Sequence, residues 1–273
     1  MISDYLYLIG WPLLAAITLT TMHVYFGLHV VKRGVIFVDL ALAQVAALGT
    51  TVGIILGWEG DSFPTYLTAL GFTFLGAILF SYMRPKNKQI PQESLIGITY
   101  IVCAALMILL FSHSAEGAEH LNHLLVGSIL FVTPEQVLAT AILYLIIGYI
   151  QWKFRAQFLR ASDPSLRDEK ETRLWDFLFY MTFGFMVTNS VKIAGVLLVF
   201  SFLIIPTVAA LFYMDNVKKR LYFGWAFGVL GSFLGMAFSL LYDIPTGASI
   251  VVTFGVLLIL AWVGSLWIKP THS

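Results

Sequence analysis

The chain has 273 residues, of which 59% are hydrophobic and only 11% charged, whereas soluble domains run near half apolar and a quarter charged. Sixteen Lys and Arg against fifteen Asp and Glu leave a formal net charge of +1. The apolar share excludes disorder, which needs few apolar residues and high net charge, and the charge balance excludes a nucleic-acid binder. So much apolar surface must face a lipid bilayer. A single cysteine, Cys103, excludes an internal disulfide and a cysteine-based metal cluster. The N-terminal residues lack the basic region of a secretory signal and carry Asp4 instead, so the first apolar run is expected to stay as a span.

Crossing about 30 Å of hydrocarbon takes roughly 20 mostly apolar residues. Nine runs meet that criterion: Tyr5 to Gly27, Val38 to Gly57, Pro64 to Met83, Glu93 to Phe111, Glu135 to Trp152, Leu174 to Thr188, Lys192 to Tyr213, Leu221 to Leu241 and Gly247 to Ile268. The fold class is therefore all-α, a multi-pass membrane protein of about nine transmembrane helices forming one membrane domain over residues 1–273. With nine crossings, every Lys and Arg except Lys192 falls on one side of the membrane. Cationic loops stay in the cytoplasm, which places the N-terminus outside and the C-terminus in the cytoplasm. Two connections are long, Ser112 to Pro134 outside and Lys153 to Arg173 inside, and long loops tend to carry function. The sixth run is the shortest, and only Asn189, Ser190 and Val191 part it from the seventh. This predicts a broken or re-entrant helix pair of the kind that lines transport paths. Pro206 predicts a kink in the seventh run. Gly224, Gly228, Gly231 and Gly235 predict one face of close helix packing in the eighth.

Asp39 is the acid that lies within an apolar stretch, and such a group is a functional candidate by default because its burial is costly. The alternative is an ion pair with Arg33, six residues earlier, or a helix cap. His23, near the inner end of the first run, is the nearest candidate second ligand. The external loop gathers His113, Glu116, Glu119, His120 and His123, residue types that bind zinc or manganese. Glu116, His120 and His123 would share a face if helical; the alternative is a polar loop with incidental histidines. The loop from Arg155 to Arg173 mixes cations with Asp163, Asp168, Glu169, Glu171 and, just beyond, Asp176, around Pro164, which suits a surface helix that docks a cytoplasmic protein as well as it suits a plain cytoplasmic loop. No lysine is followed by Ser or Thr, so this chain has no Walker A loop with which to bind ATP, and energy for transport must come from elsewhere. No nucleophile elbow or intramembrane carboxylate pair is present, which disfavours an enzyme. Rival readings are an ATPase-independent secondary transporter or channel for a small cation, and an intramembrane enzyme using zinc held by the external loop.

Several segments together resemble the permeases of ATP-binding-cassette importers for zinc, manganese or iron. They are Lys32-Arg33 followed by Asp39; Glu93-Ser-Leu-Ile-Gly97; Val126-Gly127-Ser-Ile-Leu130 before Pro134-Glu135; Val191 to Ala210, including Gly195 and Pro206; and Tyr242 to Ser249. The resemblance implies a type II importer-like permease in the cell (inner) membrane, with no stably bound cofactor. It would move a divalent metal ion and pair with a second permease, either the same chain or a paralogue. A cytoplasmic ATPase and an extracytoplasmic metal-binding protein would complete the system. It also implies ATPase docking around Arg160, Ser162, Asp163, Pro164 and Arg167. Family members commonly carry Asp and His four residues apart in the second span; here Asp39 matches and Ala43 replaces the His. Gln44, about 500° on, lies about 140° round the helix from Asp39 and points well away from it. The resemblance leaves open whether His23 completes a site with Asp39, coordination is weaker, or the substrate differs.

Overall fold

The computed structural model describes residues 2–83, 90–112, 127, 129–163 and 169–267. Among these, the regular structure is helical throughout, as expected where lipid offers backbone groups no hydrogen-bond partner and each span must satisfy its own. The helices are α1 (Ile2–Arg33), α2 (Val38–Ile55), α3 (Phe63–Tyr82), α4 (Gln92–Phe111), α5 (Pro134–Lys153), α6 (Arg155–Ser162), α7 (Glu169–Tyr213), α8 (Val217–Tyr242) and α9 (Thr246–Ser265), with a 3₁₀ turn at Ile129–Phe131. Local chemistry sets several starts. Ser62 caps α3 by accepting from the Thr65 amide, with proline in the first turn, and Asn216 caps α8 by accepting from the Lys218 amide, each satisfying an amide that the helix itself cannot.

Eight of the described helices are long and apolar enough to cross a bilayer. The count is one below the nine runs because the sixth and seventh lie in one helical stretch, Thr172–Tyr213, of 42 residues. At 1.5 Å per residue it is about 63 Å long, twice one crossing. The predicted break exists, but it is displaced. Residues 189–191 are helical, and the backbone leaves helical dihedrals at Gly195, with φ 74° and ψ 161°. It keeps helical dihedrals through Pro206, which lies inside the helix. The Thr207 hydroxyl donates to the Leu203 carbonyl at 2.6 Å in the same turn.

The chain forms two compact units, residues 1–28, 126–141 and 193–273 in one, 29–125 and 142–192 in the other. In the first, the four glycines of α8 do what their spacing predicts. A Cβ on Gly224 or Gly228 would strike Val24 or Thr20 of α1, and one on Gly231 or Gly235 would strike Phe254 or Ile250 of α9, all at 2.4–2.5 Å. The helices therefore approach to backbone distance, which membrane bundles achieve with small residues because lipid supplies no hydrophobic drive between spans. Trp225 Nε1 donates to the Thr21 carbonyl at 2.9 Å.

In the second unit α2 is the buried helix. Val45, Ala47 and Leu48 pack with Cys103 and Met107 of α4 and Phe72 of α3. The Thr73 and Thr188 hydroxyls, 2.8 Å apart, join α3 to α7. At one end Gln92 donates to the Phe80 carbonyl at 3.3 Å and lies 3.2 Å from the Tyr180 hydroxyl, and Arg173 lies over the Tyr82 ring. Lys192, nineteen residues or about 28 Å further along α7 than Arg173, instead pairs with Asp61 at 3.2 Å. The lone cation that the loop pattern set apart thus sits at the opposite end of this unit.

Candidate functional site

Gly34, with φ 68°, turns the chain from α1 into α2 and brings Asp39 into the first turn of α2. That helix has no side-chain cap. The Phe37 amide instead donates to Glu93 Oε1 at 3.4 Å. A carboxylate in the first turn is favoured by the helix dipole, which explains its local tolerance but not its burial. Asp39 is 1% exposed, and its Oδ1 has no hydrogen-bond partner. Buried polar atoms are nearly always paired in proteins, so this oxygen is a place where something other than the described residues belongs. The Tyr144 hydroxyl of α5 lies 2.5 Å from Ser190 Oγ of α7.

The alternative for Asp39, an ion pair with Arg33, is not what forms. Arg33 Nη1 lies 2.6 Å from Asp176 Oδ1, 143 residues away in sequence. Ala43, one helical turn after Asp39, is buried and supplies no ligand atom. Gln44 is buried, and its Oε1 also lacks a partner, although the helical period points it away from the Asp39 face. His23, in the other unit, is fully buried against Phe202. Its Nδ1 lies 2.7 Å from the Leu19 carbonyl and must carry the proton to donate there, which leaves Nε2 as the basic nitrogen. His113, Glu116, Glu119, His120 and His123 lie outside the described residues, as do Pro164 and Arg167. Among the described residues no group of three or more His, Cys, Asp or Glu is placed to hold a metal ion.

The predicted surface helix of the long inner loop exists as α6. Arg160 and Leu159 are exposed on it, while Phe158 and Ser162 are fully buried. Phe154 and Phe158 pack on Trp175 of α7, with ring centroids 5.3 and 5.5 Å apart. Ser162 Oγ donates to the Phe158 carbonyl at 2.8 Å, accepts from Arg33 Nε at 2.9 Å and lies 2.8 Å from His29 Nδ1. Asp163 pairs with Lys32 at 2.9 Å. The Arg33 guanidinium stacks on Phe179, 3.9 Å from the ring centroid. His29, to which the sequence assigns no role, and Asp176, which the sequence offers only as one of the charges beside the inner loop, are the residues that hold Ser162 and Arg33. For His29 a signal was available, since it stands four residues before Arg33 and shares its helix face. Asp176 and Tyr144 meet their partners only through tertiary packing.

The model of the ABC 3 transport family matches residues 5–265. The manganese import system permease protein ScaB of Streptococcus gordonii is 24% identical over 253 residues, covering 92% of this chain and 88% of that protein. The "Probable iron transport system membrane protein" of Haemophilus influenzae is 25% identical over 255 residues, covering 92% and 82%. Among solved structures, PsaBC from Streptococcus pneumoniae in complex with Fab aligns with a TM-score of 0.77 at 23% identity, covering 99% of this chain and 97% of that one.

Proposed function

The chain belongs to the ABC 3 transport family, the multi-pass membrane permeases of metal importers whose ATP hydrolysis resides on a separate chain, and from that premise we propose that it carries manganese into the cytoplasm. The reading rests on one observation, the buried and incompletely partnered carboxylate of Asp39. An ion in transit must exchange its water for protein ligands and then leave, so its site has to be weak and few in donors. One carboxylate with Ala43 in place of an imidazole is such a site. Oxygen donors and water suit manganese, whereas an imidazole nitrogen favours zinc, and two of the relatives carry manganese import or transport in their names.

In this reading a second permease copy, of this chain or a paralogue, completes the path. An extracytoplasmic metal-binding protein delivers the ion to the outer face, where the loop of His113, Glu116, Glu119, His120 and His123 is the receiving surface. A cytoplasmic ATPase docks on α6, whose exposed Leu159 and Arg160 would touch it. The test is uptake into proteoliposomes holding this chain, its partner permease and the ATPase chain that co-purifies with them, with the extracytoplasmic metal-binding protein supplied on the outer side. Manganese uptake that needs ATP and falls at least tenfold with Asp39→Asn is the expected result. Uptake that proceeds equally without ATP or without the ATPase chain would overturn the importer reading in favour of a secondary transporter.

A further inference from the structure

We propose that His29, Arg33, Ser162 and Asp176 form a positioning device that fixes the register of α6 against α1 and α7, and so sets how much import each ATP hydrolysis drives. The inference rests on the reading of α6 as the ATPase contact.

Hydrogen-bond accounting carries the argument. A serine hydroxyl has one proton and two lone pairs. The Ser162 proton goes to the Phe158 carbonyl, so both lone pairs are left to accept, one from Arg33 Nε and one from His29 Nδ1. That assigns the His29 proton to Nδ1. Ser162 is fully used, by one partner on its own helix and two on α1. Arg33 in turn spends Nη1 on Asp176 of α7 and its π face on Phe179. Three helices thus meet through side chains that are all nearly or fully buried, where directional contacts are strong because water does not compete.

The contacts are specific to α6's position as well as to its attachment. Phe154 and Phe158 against Trp175 already hold the helix by apolar packing, which tolerates sliding. The Ser162 bonds do not, since a shift of one residue would exchange Ser162 for Ala161 or Asp163. The outer pair Lys32 with Asp163 continues the same register to the surface. Displacement of α6 by a docked protein therefore has to move α1 and α7 with it or break buried polar bonds.

The experiment uses the full complex in proteoliposomes and reads manganese taken up per ATP hydrolysed, normalised to assembled complex. That ratio is insensitive to a purely structural loss of material. Ser162→Ala is expected to lower it at least threefold while ATPase stoichiometry stays unchanged and hydrolysis continues. An unchanged ratio would overturn the proposal. If Ser162→Ala does not assemble, Lys32→Gln at the half-exposed outer pair carries the test, with a fall of twofold or more expected and no change overturning it. A bifunctional maleimide reagent at Arg160→Cys reports separately on docking. No cross-link to the ATPase would remove the reading of α6 and this proposal with it, whereas a cross-link with an unchanged ratio would remove the proposal alone.

Discussion

Gly127 and Gly195 meet backbone to backbone. Both take positive φ, 65° and 74°, and a Cβ on Gly127 would lie 2.2 Å from the Gly195 amide nitrogen and 2.2 Å from the Ala194 carbonyl carbon. The segment after the external loop is thereby seated on the break in α7. Gly127→Ala adds both an impossible contact and a left-handed strain of about 1–3 kcal/mol, so the thermal midpoint in detergent should fall by several degrees. Gly71→Ala, at a helical glycine with nothing within 4 Å, should leave it level or raise it, since alanine is the better helix former by about 0.8–1.0 kcal/mol.

Asp39→Asn keeps the shape of the side chain and removes a buried charge with an unpartnered oxygen. Such a charge costs stability in the absence of its cation. The variant should therefore match or exceed the parent in thermal stability while manganese uptake drops at least tenfold. Equal loss of stability and uptake would mark Asp39 as structural, and its place in the transport path would be withdrawn.

Two ion pairs of the second unit, one buried and one exposed, should behave oppositely. Arg33 and Asp176 have side chains no more than 1% exposed, and removing one partner leaves a buried charge, a loss of about 3–5 kcal/mol. Asp176→Asn is expected to abolish stable expression or lower the midpoint by more than any surface variant. Lys192 and Asp61 are 36% and 92% exposed, a class worth about 0–1 kcal/mol. Lys192→Gln should be nearly silent in the same melt.

Ala43→His returns an imidazole to the face of α2 that carries Asp39. Nitrogen donors favour zinc, so competition assays should show zinc blocking manganese uptake at lower concentration than in the parent. An unchanged order of cation preference would mean that residue 43 does not face the ion.

Much of the architecture was legible in the linear chain because the bilayer is a severe solvent. It demands apolar runs of helical length, so the spans of α1 to α5, α8 and α9 could be bounded to within a few residues, and it sorts cations by side. The i, i+3, i+4 spacing of the α8 glycines likewise foretold close packing, because a helix face is a property of sequence period. Asp39 stood out for the same reason, a charge where hydropathy forbids one.

What the chain order could not disclose was pairing. Arg33 has Asp39 six residues away and chooses Asp176 instead, because α1, α6 and α7 converge there in space. The break in α7 was expected at Asn189 to Val191, polar residues that a helix tolerates when Ser190 bonds the Met186 carbonyl. It falls at Gly195, where Gly127 from a distant segment occupies the gap. Period, hydropathy and charge act along one helix and are written in sequence. Which buried donor finds which acceptor depends on side chains that meet only after the helices pack, and that was decided by the tertiary structure alone.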